Sequence, residues 1–433
     1  MKKPIEVKEF QSIIYDSDYA DIADYKCIEK KQFEDLVTFV REYTSVDEGN
    51  EAYDFMRYSR KKHVDAVTFR NYVGLIQMKD GFQVQILPKI DFITEDDEGN
   101  EETKKLFLKM LRSMKDLRGK VFNEAAIKAD KMNLYEIFIN MYVQEVLHLV
   151  KHGLRSDYVI QEDNLGFYKG KLLVGKHIRL NSVHKERFYV GFEEYLPNRP
   201  ENKLVKATLE KLLRITTSAE NSKEIRQLLM AFEMVETSIS YEKDFAKVVI
   251  NRNTKDYENL IRWSRVFLMN ESFSVFSGST TSRALLFPME SVYESYVSRE
   301  IKKSLIPHGW DVSCQEKGMH LFKKPKKLFR LRPDIVLRRG GRTVIMDTKW
   351  KKLSLNETNY GISQSDMYQM YAYSKKYKTP EIWLLYPDNR EMKGRTDIIF
   401  DSGDGTRVRV WFVDLKNIQT DIQRIEEILE TQI

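Results

Sequence analysis

The stretch Leu331-Arg-Pro-Asp334-Ile-Val-Leu-Arg-Arg-Gly340-Gly341-Arg-Thr-Val-Ile-Met-Asp347-Thr-Lys349-Trp-Lys-Lys352 decides how the rest of the chain is read. Two β-branched runs, Ile335 to Leu337 and Thr343 to Met346, flank Gly340-Gly341, and a Gly-Gly pair between such runs signals a hairpin turn. Residues two apart on a strand share a face, so Asp347 and Lys349 point the same way, and pairing can bring Asp334 beside them. Neighbouring carboxylates repel unless a cation lies between them. Hard oxygen ligands suit Mg²⁺, which keeps several waters and shares itself with substrate phosphates. A lysine next to such a metal can orient or help deprotonate an attacking water and offset charge building on phosphate. These residue types point to metal-assisted phosphodiester hydrolysis, with Asp334 and Asp347 as ligands and Lys349 as the catalytic amine.

Pro333-Asp334, a spacer and Asp347-Thr348-Lys349 resemble the signature of the PD-(D/E)xK phosphodiesterases. Downstream, Asp366 to Tyr373 reads as a helix whose Gln369 and Tyr373 lie one turn apart on one face. RecB-like nucleases of that superfamily carry a Gln-x-x-x-Tyr pair here, so the resemblance implies that both belong to the site. Upstream, Met289, Val292, Tyr293, Tyr296, Val297 and Ile301 keep a helical apolar period, with Glu290 and Glu294 beside the stripe. A carboxylate there could complete the metal shell; Glu294 is the expected ligand and Glu290 its alternative. Lys323, Lys324, Lys326, Lys327, Arg330 and Arg332 crowd just before Asp334, with Phe322 and Phe329 interleaved. Clustered cations beside a carboxylate site are what a nuclease tracking a DNA backbone needs, although charges also protect exposed strand edges.

A chain of 433 residues accommodates about three domains at roughly 150 residues each. With 42% hydrophobic and 31% charged residues it has the composition of a globular protein, and no apolar run nears the 18 or so residues that span a bilayer. Met1-Lys2-Lys3-Pro4 leads into Glu6, Lys8 and Glu9 rather than an apolar segment, so a cytoplasmic protein without a signal peptide is expected. Cys27 and Cys314 form no Cys-x-x-Cys pair and are expected as buried free thiols. The net charge of +6 is too small for this length to argue for nucleic acid by itself.

Along the chain, Ile5 to Phe10 is strand-like, and Phe33, Leu36, Val37 and Val40 predict a helix over 31–43. Asn71 to Gln77 and Phe82 to Leu87 form a second predicted hairpin, joined through Lys79-Asp80-Gly81. Glu95 to Glu102 is expected as a solvated acidic loop before helices over 103–115 and 134–151. Alternating strands over 157–195 are predicted to turn at Asp163-Asn164 and Lys169-Gly170, and helices resume at 202–213, 228–250 and 257–269. Gly166 to Leu172 fails as a phosphate loop, because Gly170-Lys171 is followed by leucine. The polar run Ser277 to Ser282 marks the last domain boundary.

Taken together, Met289, Glu294, Tyr296 and Val297, then Arg332-Pro333-Asp334-Ile335, Asp347-Thr348-Lys349-Trp350-Lys351 and Gln369 resemble the McrC family, nuclease subunits of McrBC-type restriction systems. Asn71-Tyr72-Val73-Gly74, Gln85-Ile86-Leu87-Pro88-Lys89-Ile90 and Asn202 extend the resemblance over most of the chain. Departures are Val292-Tyr293 before the glutamate, Trp350 where tyrosine is common, and extra sequence before Asn71 and around the acidic stretch. The resemblance implies an α+β multidomain chain with a β-rich, partner-binding stalk over 1–130, a mixed helical and β middle domain over 131–275, and an α/β PD-(D/E)xK nuclease domain over 276–433. It implies an Mg²⁺-dependent DNA endonuclease subunit in phage defence. Its partners would be double-stranded DNA and a McrB-type AAA+ GTPase ring, which reads modified DNA, translocates and is stimulated by this subunit. Two alternatives stay open: a freestanding repair or junction nuclease, and a non-catalytic NTPase regulator.

Overall fold

A computed structural model describes residues 4–16, 18, 24–45, 56–61, 64–78, 80–90, 97–114, 134–269 and 283–431. Lys79, Glu95, Asp96 and the Ser277–Ser282 run lie outside these residues. The fold is mixed α+β and divides into two compact units, Met1–Arg118 with Ser272–Ile433, and Gly119–Glu271. The first unit thus contains residues 1–118 of the segment expected as a stalk together with the segment expected as a nuclease. Among the described residues no helix is long and apolar enough to cross a membrane.

The first unit is built on a six-stranded sheet, in the order Asp311–Cys314, Ile335–Arg339, Arg342–Thr348, Glu381–Pro387, Arg407–Val413 and Ile399–Asp401. The expected hairpin is its centre: Ile335 pairs with Met346 and Arg339 with Arg342, across Gly340 and Gly341 at φ 57° and 82°. Two positive φ values in succession are what a tight turn matching the strand twist requires, and glycine supplies them without strain. Beyond the hairpin the sheet turns parallel, Arg342–Thr348 beside Glu381–Pro387 beside Arg407–Val413. A parallel step needs a crossover, which the helix Gln364–Tyr377 provides. That helix buries Met370, Tyr373 and Tyr377 among Val336, Ile345, Ile382, Leu384 and Val410, the residues of one sheet face. Helix Met289–Leu305 buries the expected stripe of Met289, Val292, Tyr293, Tyr296, Val297 and Ile301.

A four-stranded sheet in the same unit runs Ile5–Lys8, Gln83–Leu87, Tyr72–Gln77 and Arg283–Pro288. The predicted second hairpin is its middle. Gly74, at φ 137°, faces Arg283–Pro288 so closely that a Cβ would stand 2.0 Å from the Leu285 carbonyl oxygen, so only glycine fits. A smaller four-stranded sheet joins Tyr25–Cys27, Ser12–Ile14, Val64–Phe69 and Met56–Lys61, and the helix expected over 31–43 spans Lys30–Ser45. Neither cysteine is in a disulfide, but Cys27 is exposed, on the edge strand Tyr25–Cys27, and Cys314 is half-buried. The acidic stretch is not all loop: from Asp97 onward it opens the helix Asp97–Leu111. Phe107, Met110 and Leu111 bury its later turns.

The second unit pairs helices with a three-stranded sheet of Asp157–Leu165, Phe188–Leu196 and Lys171–Leu172. No turn forms at Asp163-Asn164, where the strand continues opposite Val190 and Tyr189. The amides of Asn164 and Asn181 bond each other reciprocally at 2.9 and 2.8 Å, which satisfies the asparagine inside the strand. Asn181 ends a helix, Val174–Asn181, that the sequence reading did not expect. The helix expected over 228–250 is instead Ala219–Ala231 followed by Tyr241–Lys247.

Candidate active site

Continuing the hairpin register one step past Ile335 and Met346 puts Asp334 opposite Asp347. Asp334 is fixed by Thr348, whose backbone N and side-chain Oγ1 both donate to Oδ2 at 2.7 Å. Asp347 is 2% exposed, and its Oδ2 has no hydrogen bond. The Lys349 Nζ lies 2.8 Å from that oxygen and forms an ion pair with it. Burial, then the charge of Asp334, pushes the Asp347 carboxyl up to about 7 against the pull of Lys349. Asp334 is raised too, through burial, with the Thr348 bonds opposing. Two facing carboxylates with this much burial thus hold their charges at a cost.

Lys349 is the counterweight. Burial pulls its ammonium down, but Asp347, Asp366 and Asp334 outweigh burial and raise it above its ordinary value. Its Nζ is 3.6 Å from Asp366 Oδ1 and donates to Gln369 Oε1 at 3.3 Å. Gln369 donates in turn to the Tyr373 hydroxyl at 2.8 Å, which fixes the amide with its oxygen toward the lysine. Tyr373 is buried and held well above the ordinary tyrosine range by burial, so it stays a neutral hydroxyl.

Asp334, Asp347, Lys349, Gln369, Glu290 and Glu294 line one cleft of about 690 Å³. Tyr373 stands behind Gln369 rather than on the cleft wall. Glu294 accepts from Gln315, whose own oxygen accepts from Arg332, so Arg332 is drawn into the cleft lining. Lys323, Lys324, Lys326, Lys327 and Arg330 are elsewhere: they are exposed on a two-stranded arm, His320–Phe322 with Leu328–Arg330, outside the cleft lining. Exposed Phe322 and Phe329 pair edge to face at 5.8 Å on the same arm.

Sequence reading missed Asp366, Glu9 and Trp350 as cleft residues. Asp366 had a signal, since 366, 369 and 373 fall on one helix face. Glu9 had none, being 341 residues from Trp350, to which it is bonded.

Among the described residues no group of three or more His, Cys, Asp or Glu side chains is arranged to enclose a metal. Mg²⁺ does not need such a cage, because it is held by one or two carboxylates with water and substrate phosphates. Asp347 opposite a second carboxylate, with the Lys349 ammonium beside its Oδ2, fits that mode of binding.

Residues 67–387 match the family model described as McrBC 5-methylcytosine restriction system component. The chain belongs to that family. No curated relative matches the sequence. A solved structure described as a refined half-complex from a tetradecameric assembly of Thermococcus gammatolerans McrB AAA+ hexamers with bound McrC is similar at TM-score 0.69 and 20% identity, over 98% of this chain and 100% of that one. A second, a cryo-EM structure of the Thermococcus gammatolerans McrBC complex, aligns at TM-score 0.48 and 21% identity over 70% of this chain and 88% of the other. The McrBC family match covers the hairpin, the Met289–Leu305 helix and the Gln364–Tyr377 helix, so every proposed catalytic residue lies inside it.

Proposed function

We propose that this McrBC-family chain is the McrC-type subunit, a cytoplasmic, Mg²⁺-dependent DNA endonuclease whose C-terminal sheet is a PD-(D/E)xK nuclease. The observation that carries this reading is Asp334 opposite Asp347, with the Lys349 ammonium 2.8 Å from Asp347. Asp334 and Asp347 would hold the metal, and Glu294 and Glu290, which line the same cleft, would bear on it through its bound water rather than as a third direct ligand. Bound there, Mg²⁺ supplies Lewis acidity toward a phosphoryl oxygen and lowers the pKa of its water. Asp347, Asp366 and Asp334 raise the Lys349 ammonium above its ordinary value, and beside the metal it would orient the nucleophile and offset charge on the scissile phosphate. Gln369 and Tyr373 hold it in place. The arm lysines and Arg330 would contact DNA phosphates, while Arg332 serves the cleft.

The partner would be a McrB-type AAA+ GTPase ring, since the similar solved structure is described as McrC bound to McrB hexamers. The surface best suited to it is not the second hairpin, whose strands are buried nearly throughout. Tyr158, Ile160 and Tyr195 are 68%, 72% and 61% exposed toward one end of the long paired strands of the second unit, where Tyr158 lies opposite Tyr195. Exposed apolar side chains grouped on adjacent paired strands mark an interaction site.

The deciding experiment incubates the purified chain, with and without the neighbouring GTPase, with methylated duplex DNA, Mg²⁺ and GTP. Cleavage that needs both proteins supports the reading. Cleavage by the chain alone favours a freestanding nuclease, and GTPase stimulation without any cleavage favours a regulator.

A further inference from the structure

We infer that Glu9 is a positioning residue for the nuclease centre, holding the Trp350 indole and through it the loop that carries Lys349. The inference rests on the nuclease reading above. Trp350 follows Lys349 directly, at the point where the strand ends. Its indole Nε1 donates to Glu9 Oε2 at 3.1 Å, and its ring packs on Tyr293 at 5.4 Å. The Lys349 backbone N donates to Leu385 O at 2.9 Å, and the Tyr293 hydroxyl reaches the same carbonyl at 3.4 Å. The lysine's backbone is therefore tied on one side to the central sheet and on the other, through one indole, to Glu9.

Glu9 is itself rigidly placed. Its backbone N donates to Leu87 O at 2.9 Å, and its Oε2 also accepts from the Lys89 backbone N at 3.3 Å. It leaves the strand Ile5–Lys8, which pairs with Gln83–Leu87 in the N-terminal sheet. The side chain has no solvent exposure, and Oε1 has no partner. Burial lifts this carboxyl to about 8, against the bonds from Trp350 and Lys89. A fold that needed only a filled space here would place an apolar residue, because burying a carboxyl with one oxygen unbonded costs stability. What this glutamate contributes is a hydrogen bond to the residue after the catalytic lysine.

A donor displaced by about 1 Å at a reacting centre can lose on the order of a hundredfold in rate. Glu9→Ala should therefore lower kcat by about tenfold to a hundredfold while KM stays within about twofold. Glu9→Gln keeps an oxygen for the indole and should restore kcat to within a few-fold. Trp350→Phe should mimic Glu9→Ala, and the double variant should be no worse than either, as for two ends of one contact. All are assayed as the full chain with the partner GTPase on methylated DNA, with thermal unfolding as the check on folding. A second measurement does not need catalysis: in ¹⁵N-tryptophan-labelled protein the Trp350 indole resonance, assigned through Trp350→Phe, should move in Glu9→Ala and stay near its place in Glu9→Gln. An unmoved resonance in Glu9→Ala overturns the inference, as does a Glu9→Gln enzyme as slow as Glu9→Ala. If the wild-type chain cuts no DNA, the nuclease reading falls instead, and the resonance still tests the clamp.

Discussion

Replacing Asp347 by Asn removes one charge from a buried pair, and the protein without metal should become more stable above neutral pH. The carboxyl's ordinary value is 3.8, and the folded site raises it to about 7. The sign follows directly. A raised carboxyl makes the native state bind more protons than the unfolded one, so stability falls as pH climbs from about 4 through about 7. The gap corresponds to about 4 kcal/mol at most, because each pKa unit is worth about 1.4 kcal/mol and the second carboxylate shares the relief. For a unit of this size that is roughly 5–15 °C in the unfolding midpoint. Thermal unfolding in EDTA at pH 5 and pH 8 should show Asp347→Asn gaining over wild type at pH 8 by several degrees and by far less at pH 5. Added Mg²⁺ should raise the wild type and leave the variant nearly unmoved, as binding to the native state requires. A variant equally destabilised at both pH values, or a metal-free wild type that gains stability from pH 5 to pH 8, would refute the reasoning.

Asp334→Ala should abolish Mg²⁺-dependent cleavage and also free Thr348, which loses both its bonds to Oδ2, so activity and midpoint should both drop. Lys349→Gln should lose at least about a hundredfold in kcat while Mg²⁺ still raises its unfolding midpoint; a wild-type rate would remove the lysine from the mechanism. Changing Lys323, Lys324, Lys326 and Lys327 together to Gln should flatten the salt dependence of DNA binding by up to about 3–4 log units per log unit of salt, equally for all sequences, since each phosphate contact contributes about 0.9. Tyr158→Glu with Ile160→Glu, two apart on one strand and both exposed, should abolish stimulation of the partner GTPase without changing the metal-dependent rise in midpoint; unchanged stimulation would move the partner surface elsewhere.

What could be read from the sequence was what local chemistry decides. Gly340-Gly341, the β-branched runs beside it and the period of two fixed the hairpin, and with it the meeting of Asp334, Asp347 and Lys349. The Gln369 and Tyr373 face needed only helical spacing. What was hidden depended on contacts made far along the chain. Asn164 reads as a turn residue until Asn181 is known to satisfy it. The strand Arg283–Pro288 shows as part of the N-terminal sheet only through Gly74, where side-chain size lets two backbones meet. Glu9 carries no sign of its tie to Trp350, because burial belongs to the fold and not to the residue.

The strand Arg283–Pro288 also bears on how the protein can be dissected. It lies antiparallel to Tyr72–Gln77 over six register pairs and passes without a break into the helix that begins at Met289. A nuclease fragment begun at residue 276 would carry this apolar strand with its partner removed, and an unpaired strand edge is a template for intermolecular pairing. Expressed alone, such a fragment should form soluble aggregates or inclusion bodies. A fragment meant to stay monomeric has to be discontinuous, with the N-terminal segment supplied by co-expression or joined by a short linker in place of the second unit.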